Sequence, residues 1–403
     1  MKRFDLITPE GTGDSLFEDC LARRSLEDKL RKVFTQRGYS EVTTPGIEFY
    51  DVFAHSSRYF PQENMYKLVD AGGRLLVLRP DSTVPIARVT ATRLREAALP
   101  LRLFYNQSVF EATPSLRGRS DETVQMGIEL IGSASRKADL EVLSTAIEAL
   151  KACDAGDFRL EIGSIGFCDE LLSRLPLEEE IRQEARACIE AKDYPALGDI
   201  LKPLGGNPIA EALRQLPMLF GGGEAFEKAE SIYTDAALSS FLAKIRAVYD
   251  DLCALGGDYR DKIAVDLGLV NRTDYYSGIM FRGYVEGCGE AVLSGGRYDH
   301  LIADFGHDLP ATGFAINVDA LAKSLRRSGR SPSLHAAEVL VFGGEGCELA
   351  ALLHVNQLLA AGISAEYAVC DTSAEACEYA KRRGIARVDV ISESGSTEVL
   401  PHV

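Results

Sequence analysis

The 403-residue chain has no apolar run approaching the ~20 residues needed to span a bilayer. Its start, MKRFDLITPEG, has no apolar core behind its basic residues, so a secretory leader is not expected there. Nine cysteines include no CxxC pair, and the nearest two, Cys370 and Cys377, are too far apart for a zinc knuckle. Reduced thiols in a cytoplasmic protein are the simplest expectation. Six histidines form no HxxxH or HExxH pattern, so neither a metal nor a metal-borne cofactor is expected. Positive charge is also scarce, and the net charge of −16 makes the chain a poor general binder of polyanions. No repeat or low-complexity tract interrupts the sequence.

What is present reads as an ordinary globular chain, 46% hydrophobic and 26% charged, long enough for two or three domains. Ser15-x-x-Glu18 predicts a capping box, followed by a helix with Leu26, Leu30, Val33 and Phe34 at helical spacing and ended by Gly38. Tyr66–Val69 and Leu75–Leu78 around Asp70-Ala71-Gly72-Gly73 predict a hairpin. Thr83 is then a candidate N-cap, with Pro85 in the first turn. A further helix is predicted over Arg136–Cys153, and a helical insertion over about 170–255. Strands resume at Ile263 and run to about Leu301, before a last helix around Val318–Leu325. Residues 1–325 form the expected main domain and 326–335, opened by RRSGRSPS, a linker. Residues 336–403 show a small βαβαβ pattern that stops soon after its third strand, Val388–Ile391.

In QMGIELIG, alternation puts Val124, Met126, Ile128 and Leu130 on one face and Gln125, Gly127 and Glu129 on the other. A polar pair around a glycine leaves room for a molecule to lie against the backbone, although a strand with one wet face shows the same pattern. In LRPDST, Asp81 and Thr83 offer a carboxylate and a hydroxyl, good acceptors for an ammonium group. An acid at a helix start is equally consistent with the helix dipole alone. Tyr275 and Tyr276 could wall a pocket or pack in a core.

Together these segments resemble class II aminoacyl-tRNA synthetases, and histidyl-tRNA synthetase most. LRPDST is similar to that family's LRPEGT, and QMGIELIG to its QLGCEVFG. LGLVNRTDYYSGIMF is similar to LVRGLDYYNG, SGGRYDHLIADFG to AGGRYDGL, and PATGFAINVDAL to the third family motif. RGYSEVTTPGIEFYDVF, with Pro45, resembles the motif that builds the family's homodimer interface. The resemblance implies an α+β fold, an antiparallel sheet flanked by helices, with a helical insertion and a truncated anticodon-binding-like α/β tail. It implies a histidine pocket made of Asp81, Thr83, Gln125, Glu129, Tyr275 and Tyr276.

Against that pattern the nucleotide-binding positions are altered. Glu111 stands where the family's arginine holds the ATP α-phosphate. Asp121 replaces another loop arginine, although Arg119 survives, and Thr123 replaces the phenylalanine that stacks on adenine. Asn271 takes the arginine position of LVRGL, with Arg272 beside it, and Ala320 that of the arginine facing the γ-phosphate, while Asp319 is kept. Each reversed or lost charge is worth up to about 4 kcal/mol at ~4 Å and an effective dielectric of ~20. Histidine's carboxylate would then need another cation or N–H partner, and Arg297 or backbone amides are the candidates. The tail carries ten acids and four Lys or Arg, a poor surface for RNA.

This combination resembles the regulatory subunits of ATP phosphoribosyltransferase. The resemblance implies a non-catalytic subunit that supports a short catalytic subunit in a hetero-octamer built on its own homodimer. It also implies feedback inhibition by L-histidine at the opening step of histidine biosynthesis, without cofactor, nucleic acid or membrane. The competing readings are a divergent histidyl-tRNA synthetase and a tRNA-binding paralogue.

Overall fold

The computed structural model describes residues 3–54, 60–112, 120–233, 235–270, 275–392 and 397–401. The chain divides into two compact units, residues 1–332 and 333–403.

The first unit is built on a nine-stranded sheet. In chain order its strands are β1 (Ser40–Glu41), β5 (Leu101–Phe110), β6 (Glu122–Ile131), β7 (Phe158–Ser164), β8 (Phe220–Gly221), β9 (Ile263–Asp266), β10 (Ile279–Val285), β11 (Leu293–Arg297) and β12 (Ala311–Asn317). Their spatial order is β1-β5-β6-β12-β11-β10-β7-β9-β8. The pairs β1·β5 and β7·β9 are parallel and the other pairs antiparallel. A separate three-stranded sheet joins β2 (Ile47–Phe49), β3 (Lys67–Val69) and β4 (Leu75–Leu78), with β3 and β4 forming the expected hairpin.

The two faces of the large sheet are dressed differently. On one, Val124, Met126, Ile128 and Leu130 of β6 join Phe104, Phe281 and Phe314 in the main core. The helix Glu18–Gln36 covers this face because Ala22, Leu26, Leu30 and Phe34 recur at four-residue spacing, and Phe34 meets Phe104 and Phe314 with ring centroids 5.9 Å apart. The helices Arg136–Ala152 and Val318–Arg327 complete the layer. On the opposite face Leu103, Tyr105 and Ile131 pack under the helix Thr83–Thr92 through Val84, Ile86 and Ala87. The site described below opens on that second face.

Several expectations are corrected. The first helix begins at Glu18, and its N-cap is Phe17 at φ 45°, not Ser15. The Ser15 carbonyl accepts from the Cys20 thiol instead, and Glu18 and Asp19 pair with Arg326 of another helix, so the box is replaced by a tertiary contact. Thr83 is the first helical residue and not the cap; the Asp81 carboxylate accepts from the Val84 N–H at 2.8 Å. The helical segment runs from Ile165 to Ala254, and its glycine-rich loop contributes β8 to the sheet.

In the second unit, β13 (Val339–Gly343) lies parallel between β14 (Ala365–Tyr367) and β15 (Arg387–Ile391). Thr372 and Glu375 form the expected capping box, and Gly384 ends the same helix at φ 72°. A fourth strand, β16 (Thr397–Pro401), pairs antiparallel with β15, so the unit does not stop at its third strand. Its segment, TEVLP, is too short and polar to stand out from periodicity alone.

Candidate functional site

A cleft of about 230 Å³ lies on the second face of the large sheet. Its floor is Gln125 and Glu129 of β6, Gly313 and Ala315 of β12, and Ser294 of β11. Pro80, Asp81 and Thr83 form one wall at the start of the helix, and Tyr275, Tyr276 and Tyr298 the other. Phe60 and Glu111 also line it. All six residues expected from sequence as a histidine pocket, Asp81, Thr83, Gln125, Glu129, Tyr275 and Tyr276, therefore line one cavity. Strand alternation explains the floor, and the β6–β12 register sets Glu129 opposite Gly313. A Cβ at Gly313 would stand 1.9 Å from Glu129 Oε2, so glycine is what lets that carboxylate cross its neighbour strand. The space over Gly127, expected to admit a ligand, is filled by the Phe314 carbonyl oxygen and the Tyr105 hydroxyl, 2.1 and 2.7 Å from where a Cβ would be.

Glu129 is only 1% exposed. Thr83 donates to its Oε1 at 2.9 Å, and the Tyr298 hydroxyl donates to Oε2. Burial raises its carboxyl to about 8 from an ordinary 4.5, while the two hydroxyls pull it back. Asp81 is raised to about 6 by desolvation, opposed by the backbone N–H groups of Val84, Thr83 and Ser82. Tyr275 sits against Tyr276 with ring centroids 4.7 Å apart and edge-on to Tyr298 at 5.8 Å. The result is a tight aromatic slot holding two carboxyl groups, suited to a cationic or hydrogen-bond-donating ligand.

Tyr298 is the residue that sequence reasoning missed. Its signal was present in SGGRYD, because Ser294, Gly296 and Tyr298 share the parity that faces the cleft. Arg297 has the opposite parity and does not line the cleft. Its guanidinium donates to Asp139 at 3.0 and 2.8 Å, to Asp299 at 3.0 Å and to the Ser133 carbonyl at 3.1 Å. Those bonds occupy the group expected to meet a carboxylate.

The mouth is chemically different. Glu111 is exposed, and its N–H donates to the Asp121 carbonyl at 2.8 Å, closing the β5–β6 hairpin. The Asp121 carboxylate accepts from the Tyr66 hydroxyl at 2.6 Å, which raises that phenol to about 12. Thr123 pairs in register with Val109. Ala320 packs partly against the main core, and its N–H is capped by Asn317 Oδ1 at 2.9 Å. The retained Asp319 accepts from the Val124 N–H at 2.7 Å. Asn271, Arg272 and Arg119 lie outside the described residues. Among the described residues no Lys or Arg lines the cleft. Among the same residues no group of three His, Cys, Asp or Glu could hold a metal, and no helix is long and apolar enough to cross a membrane.

Residues 11–321 match the histidyl-tRNA synthetase family. The chain is 40% identical over 381 residues to an ATP phosphoribosyltransferase regulatory subunit of Clostridium kluyveri, covering 94% of this chain and 97% of that one. It is 39% identical to the corresponding subunit of Clostridium acetobutylicum, covering 94% of each. A crystal structure from Bacillus halodurans, described as an ATP phosphoribosyltransferase regulatory subunit/histidyl-tRNA synthetase, superposes with a TM-score of 0.82 at 30% identity, covering 93% of this chain and 94% of that one. The polar and aromatic lining of the cleft, the altered positions at its mouth and these likenesses agree, and the chain belongs to the ATP phosphoribosyltransferase regulatory subunits, the histidyl-tRNA synthetase-like paralogues of the class II synthetase fold.

Proposed function

We propose that this chain has no chemistry of its own and serves a short-form ATP phosphoribosyltransferase catalytic subunit as its histidine-sensing partner. One observation carries the reading: a single cleft gathers the carboxyls, hydroxyls and tyrosines that suit histidine, while among the described residues no Lys or Arg lines it and Glu111 stands at its mouth. Asp81 and Thr83 suit an α-ammonium, and Glu129 a ring N–H between the tyrosines. A nucleotide triphosphate would meet Glu111 instead of a cation, so activation of the amino acid is disfavoured. In the second unit Arg382 pairs with Glu378 and Arg387 with the buried Asp389, so two of the four residues in its basic cluster are partly neutralised by acids.

The regulation is linkage. Histidine inhibits to the extent that it binds the inhibited assembly more tightly than the active one. The homodimer expected from the Pro45 segment would supply the symmetric core of such an assembly.

Calorimetric titration with L-histidine tests the pocket, and folded protein giving no heat at millimolar ligand removes the sensor role. Histidine-dependent pyrophosphate–ATP exchange tests the enzyme alternative, and robust exchange would replace this reading with a synthetase. Co-purification with the short catalytic subunit, then phosphoribosyl transfer with and without histidine, tests the partnership.

A further inference from the structure

The residues assigned above answer the amino and imidazole groups of histidine and leave its carboxylate unanswered. An uncompensated carboxylate in a half-closed cleft is costly, and a cation within reach of the floor would answer it best. The register of the sheet identifies one. Ala315 of β12 pairs with Ser294 of β11, and Ser294 pairs with Arg282 of β10. Paired residues share a face, so Arg282 continues the floor row one strand beyond Ser294, a step of about 4.8 Å.

The chemistry of Arg282 separates it from other arginines near the sheet. Arg79 is consumed by the Thr44 and Ser108 carbonyls and Gln107, and Arg297 by Asp139, Asp299 and Ser133. Arg282 is half-buried, and Nη2 donates to the carbonyl of buried Val270 at 2.9 Å, its one hydrogen bond among the described residues. A guanidinium has five N–H donors, so this bond orients the fork without exhausting it. In register Arg282 also pairs with Glu161 of β7, so the guanidinium lies between the floor row and a carboxylate on the next strand.

We propose that Arg282, reaching across from β10, is the partner of the ligand's α-carboxylate and makes the cleft specific for a free amino acid. This rests on the histidine reading above. The side chain would extend along the floor past Ser294, keeping its bond to Val270 while the other edge of the fork meets the carboxylate.

The test is calorimetric titration of the full chain and of Arg282→Gln and Arg282→Lys with L-histidine and L-histidinol, which keeps the amine and imidazole and lacks the carboxylate. The unsubstituted chain is expected to bind histidine about ten- to a hundredfold more tightly than histidinol. In R282Q histidine should weaken to the level of histidinol, with histidinol unchanged, and R282K should recover part of the difference. Equal weakening of both ligands in R282Q, or histidine binding unaltered, overturns the assignment while leaving the pocket intact. An unsubstituted chain that binds neither ligand overturns the pocket reading, and this inference with it.

Discussion

At the inner end of the cleft the Glu129 carboxyl is enclosed by the Thr83 and Tyr298 hydroxyls and backed by stacked tyrosines; at the mouth Glu111 projects into solvent on a hairpin tied by Asp121. The two ends share strands, since β6 supplies Glu129 inside and Thr123 near the loop. They differ in what their acids do. The inner acids are desolvated and hydrogen-bonded, poised for a ligand with N–H groups. The outer ones hold the protein's own loops and repel anions. On the proposed function, recognition of an amino acid and activation of it would use separable groups on one scaffold, the second set lost while the first stays built.

The sharpest way to break this contrast is Glu129→Gln, which removes the inner titratable carboxyl and keeps the shape. Histidine affinity should fall about a hundredfold, read by calorimetry above pH 8 where the carboxyl is ionised, because a bond to a charged group is replaced by a neutral one. The same variant carries a stability signature. The native carboxyl of Glu129 is raised to about 8 from 4.5, so the folded state holds this proton more tightly than the unfolded state. Its stabilising contribution is complete below about pH 4.5 and is lost as pH rises towards 8, at roughly 1.4 kcal/mol per pH unit. The difference in unfolding free energy between E129Q and the unsubstituted chain should therefore move in favour of the variant across that window. A flat difference would mean that Glu129 is not desolvated. Asp81 adds a smaller change of the same sign between 3.8 and about 6.

Gly313→Ala probes the strand crossing that positions Glu129. A methyl group would overlap Oε2 and also stand 2.3 Å from the Ile128 carbonyl oxygen, so the carboxylate must turn away and the strands must shift. We expect a loss of about 1–3 kcal/mol in stability by denaturant titration, with weaker histidine binding. Unchanged affinity in folded G313A would show that the placement of Glu129 is irrelevant to the ligand.

How far the cleft was legible in the sequence follows the same division. Gln125 and Glu129 could be paired because alternation in a strand is local, and Asp81 and Thr83 because they sit at a helix start. Their roles were less legible. Thr83 was expected as a cap and instead donates to Glu129, 46 residues away, a contact made only when the helix docks on the sheet. Arg297 has the right charge, yet its strand turns it towards Asp139 on a distant helix. Tyr298 could have been found from the parity of SGGRYD, whereas Arg282 is placed beside Ser294 only by cross-strand register, which single-chain periodicity does not contain. The large sheet and its helices were legible because their apolar spacing is strong; β8 and β16 were not, being short strands in glycine-rich or polar segments.

At the mouth, Glu111→Arg asks whether charge alone excludes the nucleotide. Glu111 is exposed, so screening reduces the effect to about 1 kcal/mol and a few-fold gain in ATP affinity, measured with a fluorescent analogue. No pyrophosphate exchange should appear, because Thr123 and Ala320 remain. Exchange in this single variant would erase the distinction between the two ends.

The smallest expected effect is the most direct test of their independence. Tyr66→Phe removes the hydroxyl that donates to Asp121 and leaves the ring. The lost bond should cost about 0.5–1.5 kcal/mol in unfolding free energy. Histidine affinity should stay within about twofold, since sites without shared partners add within about 0.3–0.5 kcal/mol. Tyr66 touches none of the groups that hold Glu129, and Asp121 does not line the cleft. If Tyr66→Phe weakened histidine binding as much as it weakened the fold, the β5–β6 hairpin would be a mechanical part of the pocket, and the mouth would have been retained to transmit the ligand's presence rather than left over from a lost reaction.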